Sequence, residues 1–513
     1  MDASTTPVLI GAAQITQREP DPRQARGPMH LMVDVSRAAA EDAGAGQPLI
    51  EALDAIVAIR SFSDTSWRFT SPFGGPTNAP KSLAQHLGAA NAKKLVYTWP
   101  GGNMPQWSVN RLCQMITDGE IGAALVVGGE ALATQKAAQR QKVELDWHED
   151  AGGTPEHWGV ETRGWNDIED AHRMGAAIYM YPLLENALRG HLGQTIDEHA
   201  MVMGKLFARF AEVAAANPLA DRRDGFTAEQ IATLGPDNPY IGFPYTKLMN
   251  SNAFIDQAAA VIVASLETAR RLGVPEDKIV YLHGCADAHD IWFMSDRIDY
   301  YSSKAMPVVY GAAMEMAGVG IDDIDHFDLY SCFPSAVQVG CTSLGLSQDD
   351  PRGLTVTGGL PYFGGPGNNY VTHSIAEMMQ VVRMTPGSKG LVTANGNYIT
   401  KHAAGIYSTE PVEKPYAPTP EETLQAKLDA IPGSPPKTDL ASGPATIETY
   451  TVIHGRGGVP DFGLVIGRLS DGTRFMSNTP DDEALLRDMT ARDYLGAAGK
   501  VANDGKRNTF TPD

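Results

Sequence analysis

The sequence predicts an α/β protein made of two similar layered halves, with a large insertion in the first half and a small β-rich module after the second. Three observations lead there. Apolar strands and amphipathic helices alternate along the first 130 residues, which favours a parallel or mixed sheet covered by helices. A helix–strand pattern from the first half recurs in order in the second. Two stretches then depart in composition, one near the middle and one near the end.

The first strand is "PVLIGAAQIT" (7–16), a short apolar run that leads into a polar, proline-containing loop. "MHLMVDVSRAAAEDAGAG" follows with helical spacing and with Gly44 at its stop. "ALDAIVAIRSF" reads as a second buried strand. "PGGNMPQWSVNRLCQMITDGEIGAALVVGGEALA" then gives a glycine loop, a helix over about 105–117 ended by "DG", and the strand "AALVVGG". The echo sets "AAEDAGAGQPLIEALDAIVAI" from Ala39 beside "AMEMAGVGIDDIDHFDLYSCF" from Ala313, and "AALVVGGEA" beside "GLVTANGNY". Glu41, Ala43 and Gly44 thereby align with Glu315, Ala317 and Gly318. Two α/β halves related by a pseudo-dyad would bring their strand-to-helix loops to one site.

These patterns divide the chain into the first half (1–134), an insertion (135–250), the closing part of the first half (251–295) and the second half (296–410). The insertion is rich in Trp, His, Asp and Glu, with helices expected near 171–190 and 195–216. The stretch 411–444 is proline-rich and reads as an exposed linker with one short helix, so a chain ending near Thr409 should keep a folded core. Residues 445–513 alternate in hydrophobicity and carry two hairpin signals, "GRGG" and "SDGT", as a small barrel would.

A length of 513 residues calls for two to four structural units. A net charge of −20 argues against nucleic acid or an anionic membrane as partner. Four cysteines without framework spacing, no visible signal segment and no apolar run long enough to span a membrane point to a reducing, cytoplasmic setting. "HGCADAHD" offers His283, Cys285 and His289, a weak pattern for zinc, and no metal is expected.

The duplicated halves, the insertion, "VVGGEA", "WPGGNMPQ", "DLYSCFPSAV", "FGGPGNNYVTH" and "NGNYITKHAAGIYS" resemble the thiolase superfamily over about residues 5–410, closest to its sterol-carrier-protein type. The final module is similar to the additional C-terminal domain of thiolase-like protein type 1, an OB-like unit. The resemblance implies a duplicated, αβαβα-layered thiolase fold, a coenzyme A thioester as substrate rather than a resident cofactor, and a homodimer through the core.

The family's usual chemistry does not carry over. Counting back from Glu130 and Gly119, the nucleophilic cysteine position falls at Gly102, and Cys113 lies about three turns further into the helix. The family's Gly-His-Pro reads "GGP", with Gly365 in place of the histidine. The second cysteine falls at Asn395 and the oxyanion-supporting residue at Tyr330.

The polar residues that remain in the pocket motifs are Tyr330, Cys332, Tyr370, His373, Asn395, Tyr398, Lys401 and His402: the tyrosines, histidines and lysine could handle a proton, Cys332 a nucleophilic step, and Asn395 could hold a thioester oxygen. Gly101, Gly102 and Asn103 could hold a thioester oxygen through backbone N–H groups, and Arg222, Arg223 and Lys247 could meet coenzyme A phosphates. The resemblance makes an acyltransferase that works without the usual cysteines the leading expectation. A retro-aldol lyase using pocket tyrosines and a non-catalytic acyl-CoA binder are the alternatives. With Gly102 at the nucleophile position, incubation with an acyl-CoA should leave no stable acyl adduct by intact-mass spectrometry; an adduct on Cys332 would restore covalent catalysis.

Overall fold

The computed structural model describes residues 2–513. The first half contributes strands β1 (Pro7–Thr16), β2 (Ala55–Ala58), β3 (Lys94–Thr98), β4 (Ala123–Ala131) and β5 (Glu156–Trp158). The insertion adds β6 (Tyr240–Gly242) and β7 (Tyr245–Thr246), and β8 (Asp256–Ser265) returns to the first half. The second half holds β9 (Val280–His289), β10 (His326–Asp328), β11 (Gly390–Gly396) and β12 (Lys401–Ser408). One sheet joins ten of these in the order β10–β11–β12–β9–β1–β8–β4–β2–β3–β5.

That order is symmetric about the contact between β1 and β9. β1 is antiparallel to β8, β8 antiparallel to β4, and β4 parallel to β2. β9, β12, β11 and β10 repeat the same senses. The two sets meet through the antiparallel pairs Val8↔Tyr281 and Leu9↔Val280. The helix–strand echo is now a packing contact made twice. A side chain on Gly11 would collide with the Ala39 carbonyl and the Ala43 methyl, and one on Gly284 would collide with the Ala313 carbonyl and Ala317. Each glycine lets its own strand approach the small-residue face of its covering helix (Pro28–Asp42 or Ala305–Ala317).

The symmetry corrects one boundary. β9 lies within 251–295, the stretch expected to close the first half, yet it is the first strand of the second half, as β1 is of the first. The echo begins at the helices Pro28–Asp42 and Ala305–Ala317 and covers the strands after them, not β1 and β9 before them. The helices Met104–Thr117 and Tyr370–Met384 form the central layer between the two halves, and the helices Pro28–Asp42 and Ala305–Ala317 cover the outer faces. This is the αβαβα layering expected of the halves. At the far edge β3 is paired by β5, and Lys94 and Glu156 form an ion pair of 3.0 Å across that join.

The insertion contains the expected helices, at Ala177–His191 and Ile196–Ala216. The C-terminal module is a closed five-stranded barrel of β13 (Gly443–His454), β14 (Pro460–Leu469), β15 (Arg474–Asn478), β16 (Ala498–Asn503) and β17 (Asn508–Pro512). "GRGG" joins β13 to β14 and "SDGT" joins β14 to β15. The insertion's β6 extends the barrel sheet through Gly242↔Ile453. No helix among the described residues is long and apolar enough to cross a membrane.

The stretch 411–444 is not a free tether. Tyr416 is buried and donates to the Asn110 carbonyl (2.8 Å), and the helix Glu421–Asp429 seats Leu424 and Leu428 in the main core. Ile453, Phe462, Leu464, Ile466 and Met476 of the barrel belong to the same core as Leu183 and Leu184 of the insertion. The fully buried Arg189 pairs with Asp493 at 2.7 Å, Asn186 donates to the Tyr450 carbonyl, and Thr449 donates to the Leu183 carbonyl. The expectation that the core survives without the module is therefore reversed. A chain ending at Thr409 strips Arg189 of its partner and exposes Leu183 and Leu184, so it should aggregate or lose the cooperative transition of the full chain by circular dichroism.

Candidate active site

Gly101, Gly102 and Asn103 precede the central helix Met104–Thr117 and meet the strand ends of the second half. Gly101 N–H donates to Asn368 Oδ1 (2.9 Å), and Asn368 in turn donates to the Arg60 carbonyl and Thr65 hydroxyl. The N–H groups of Gly102 and Asn103 engage no acceptor among the described residues. Two free donors at a helix start can receive an oxygen on which charge develops.

Gly102 has no room to be anything larger. A β-carbon there would overlap the Tyr330 hydroxyl and the Asn395 carbonyl oxygen. The Tyr330 hydroxyl makes no hydrogen bond to a described residue, the ring retains partial exposure, and burial holds the phenol in its protonated form. A phenol thus stands in the space that a side chain at 102 would fill.

Lys401 lies on the other side of the loop. A β-carbon on Gly101 would sit 2.8 Å from Lys401 Nζ and against Asn103 Oδ1, which is buried without a partner. Nζ donates to the Pro100 carbonyl and lies 5.6 Å from the centre of the Trp292 ring. Burial pushes its pKa down to about 8, because the ammonium has little water and no carboxylate ion-pair partner.

The turn 396–400 that carries Lys401 is strained. Asn397 and Ile399 have φ of 56° and 55°. A β-branched residue in this region is an outlier, at a cost on the order of 1–3 kcal/mol. Two side chains hold the turn from opposite sides. The Tyr181 hydroxyl donates to the Asn397 carbonyl (3.1 Å) and accepts from Asn395 Nδ2 (2.9 Å) and Ile399 N–H (3.2 Å). Arg297 Nη2 donates to the Tyr398 carbonyl (3.2 Å), the Ile399 carbonyl (2.9 Å) and the Thr400 hydroxyl (3.0 Å).

With this geometry in view, comparison with known proteins is direct. A monomeric SCP2-thiolase-like protein type 1 from Mycobacterium smegmatis is 35% identical, each chain covering 100% of the other, with a TM-score of 0.85. The chain belongs to the SCP2-thiolase-like protein type 1 family. The thiolase-like protein type 1 additional C-terminal domain matches residues 423–506, across the helix Glu421–Asp429 and most of the barrel. Two more distant structures share the fold. The Ltp2–ChsH2(DUF35) aldolase is 16% identical, with 79% of this chain and 98% of that chain covered and a TM-score of 0.58. An acetyl-CoA acetyltransferase from Syntrophomonas wolfei is 15% identical, with 79% and 99% covered and a TM-score of 0.56. No curated protein matches the chain.

In this thiolase-like protein the loop 101–103, Tyr330, Asn395 and Lys401 come together as one centre. Other sequence candidates are occupied elsewhere. Tyr370 stands edge-on to Tyr330, with ring centres 5.8 Å apart, but its hydroxyl is bonded to Thr357 (2.6 Å) and Asp328. His373 Nδ1–H donates to Gln14 Oε1 (2.9 Å), and the ring packs on Phe363. The Tyr398 hydroxyl donates to the Gly175 carbonyl. His402 is paired across the strands with Asn395, and both its ring nitrogens are unpartnered. The Cys332 thiol lies beside the Tyr181 hydroxyl, and burial pushes it up to about 12, away from nucleophilic character. Gly365, in the place of the family's histidine, faces the Ser251 hydroxyl.

Among the basic residues, Arg222 is half-buried, its backbone N–H donates to the Tyr362 carbonyl, and one guanidinium nitrogen is buried without a partner. Arg223 is exposed and bonded to the Ala215 carbonyl, and Lys247 is exposed beside the β6–β7 hairpin.

Sequence reasoning missed Tyr181, Arg297 and Asp328. Asp328 opens the quoted "DLYSCF" and could have been suspected, since a carboxyl at a buried strand end needs donors. It finds them in Thr355, Thr357 and Ser374. Tyr181 and Arg297 carry no motif.

Burial lowers the pKa of His402 to about 4 and of His373 to about 3. Below pH 6.5 the unfolded chain binds protons that the folded chain refuses, so each histidine withdraws stability as pH falls toward those values, by up to about 1.4 kcal/mol per pH unit. Urea midpoints should accordingly show His373→Gln and His402→Gln gaining on the unsubstituted protein between pH 6.5 and 4.5; parallel pH curves would show that neither histidine is buried neutral.

Proposed function

We propose that this protein binds a coenzyme A thioester between the 101–103 loop and the second-half strand ends, and cleaves a carbon–carbon bond in it without an acyl-enzyme. The reaction class is retro-aldol cleavage of a 3-hydroxyacyl thioester. One observation carries the reading: an unbonded, protonated phenol stands in the space of a side chain at 102, and a buried amine with a pKa of about 8 lies against the neighbouring Gly101.

In this scheme the neutral Lys401 amine takes the proton of the 3-hydroxyl group. The bond between the α- and β-carbons breaks, the β-carbon becomes a carbonyl, and the electron pair passes to the thioester as an enolate. Gly102 and Asn103 N–H donate to its oxygen. Tyr330 delivers a proton to the α-carbon and regains one from Lys401 through solvent. Arg222, with one guanidinium nitrogen unpartnered, would supply a cation for the coenzyme A phosphates.

The acyltransferase class suggested by the superfamily has no thiolate to support it, since burial raises both Cys113 and Cys332. Binding without turnover is favoured by one feature, the closed centre, in which Lys401 is bonded to Pro100 and Tyr330 fills the space at Gly102. Incubation with acyl-, 3-ketoacyl- and 3-hydroxyacyl-CoA esters, analysed by mass spectrometry, separates the three. The proposal expects a shortened acyl-CoA and a free carbonyl product from a 3-hydroxyacyl ester alone. Acyl exchange, or binding with no consumption, would overturn it.

On the cleaved ester, Tyr330→Phe should lower kcat about 100-fold or more with ester binding little changed. The value of kcat/KM should rise with pH through about 8 as Lys401 loses its proton, and Lys401→Met should abolish that rise.

A further inference from the structure

The barrel is bonded to Arg297 and to the helix that carries Tyr181, and so reaches both supports of the strained turn. Tyr181 lies on the helix Ala177–His191, and that helix is tied to the barrel by three bonds: Asn186 to the Tyr450 carbonyl, Thr449 to the Leu183 carbonyl, and Arg189 to Asp493. Arg297 follows the short turn Met294–Asp296. The barrel's fully buried Arg474 donates to the Arg297 and Ser295 carbonyls while forming a two-pronged pair with Glu448 of β13. Tyr181 also stacks on Phe333, at 4.4 Å between ring centres, so its position is fixed independently of its hydroxyl.

We infer that the C-terminal barrel acts on the site at a distance: it fixes Tyr181 and Arg297, and these two positioning residues hold the turn 396–400 in the strained conformation that aims Asn395 and Lys401 at the 101–103 loop. The physical need is plain. Asn397 and Ile399 would relax out of the left-handed region if released, and Lys401 begins the strand immediately after them. The Tyr181 hydroxyl donates to Asn397 and accepts from Ile399 of this turn and from Asn395 just before it, and Arg297 Nη2 binds three consecutive residues of the turn. A strained turn held by five bonds from two side chains is pre-organised, and the barrel supplies the rigidity behind both.

The part of this inference that concerns turnover rests on the reading of Tyr330 and Lys401 given above; the part that concerns the turn does not. The test therefore has two readouts on the full-length chain. Hydrogen–deuterium exchange by mass spectrometry, on peptides covering 395–401, should quicken in Tyr181→Phe, in Arg297→Lys and in the barrel variant Arg474→Lys. Peptides of β1 should stay as protected as in the unsubstituted protein.

On the cleaved 3-hydroxyacyl ester, Tyr181→Phe should lower kcat by about 100-fold with KM nearly unchanged, as a misplaced reacting group does. Unchanged exchange over 395–401 in Tyr181→Phe would overturn the inference. So would an Arg474→Lys protein that loosens only its barrel. If Arg474→Lys fails to fold, Thr449→Val, which removes a single barrel-to-helix bond, takes its place under the same criterion. Quickened exchange in a protein that turns over no ester would uphold the tether and count against the catalytic reading alone.

Discussion

Everything in the molecule is arranged around the short antiparallel contact between β1 and β9. Two residue pairs, Val8↔Tyr281 and Leu9↔Val280, join a six-strand set and a four-strand set into one sheet. Because the sets repeat the same strand senses outward from that contact, the central helices of the two halves face each other across the dyad. The loop before Met104 then meets the loop before Tyr370, and Gly101 bonds directly to Asn368. A site made of residues nearly 300 positions apart in sequence follows from one β-pairing and from two glycines, Gly11 and Gly284, that let helices close on the strands beside it.

On that frame the resemblance puts Gly102 at the family's nucleophile position, and the Tyr330 hydroxyl fills the space that any larger residue at 102 would need. A cysteine at 102 would clash unless Tyr330 moved. Both pocket histidines are buried as neutral rings, and the one strongly shifted cation of the centre is an amine. Such a set suits proton transfer without a covalent intermediate.

The insertion and the barrel are better viewed as one support than as two additions. They share a sheet edge, a core and the ion pair of the buried Arg189 with Asp493. Their shared rigidity converges on the turn 396–400, where the backbone is least comfortable. Strain of this kind persists only when its surroundings over-determine it, and here the surroundings come from three separate regions of the chain.

The sequence by itself determined the α/β class, the duplication and the barrel. Each of these is written locally, in apolar periodicity, in hairpin signals, or in a motif that can be counted. It also supplied most members of the centre, because Gly101, Gly102, Asn103, Tyr330, Asn395 and Lys401 sit in recognisable motifs. It could not rank them against Tyr370, His373, Tyr398 and His402, which come from the same motifs but spend their polar groups on Asp328, Gln14 and Gly175 or stand buried without a partner. Nor could it find Tyr181 and Arg297, or foresee that residues 411–513 are integral to the core. Which polar atom meets which, and which surface is covered, are decided by contacts between segments hundreds of residues apart, and no local pattern encodes a contact whose partner lies in another part of the chain.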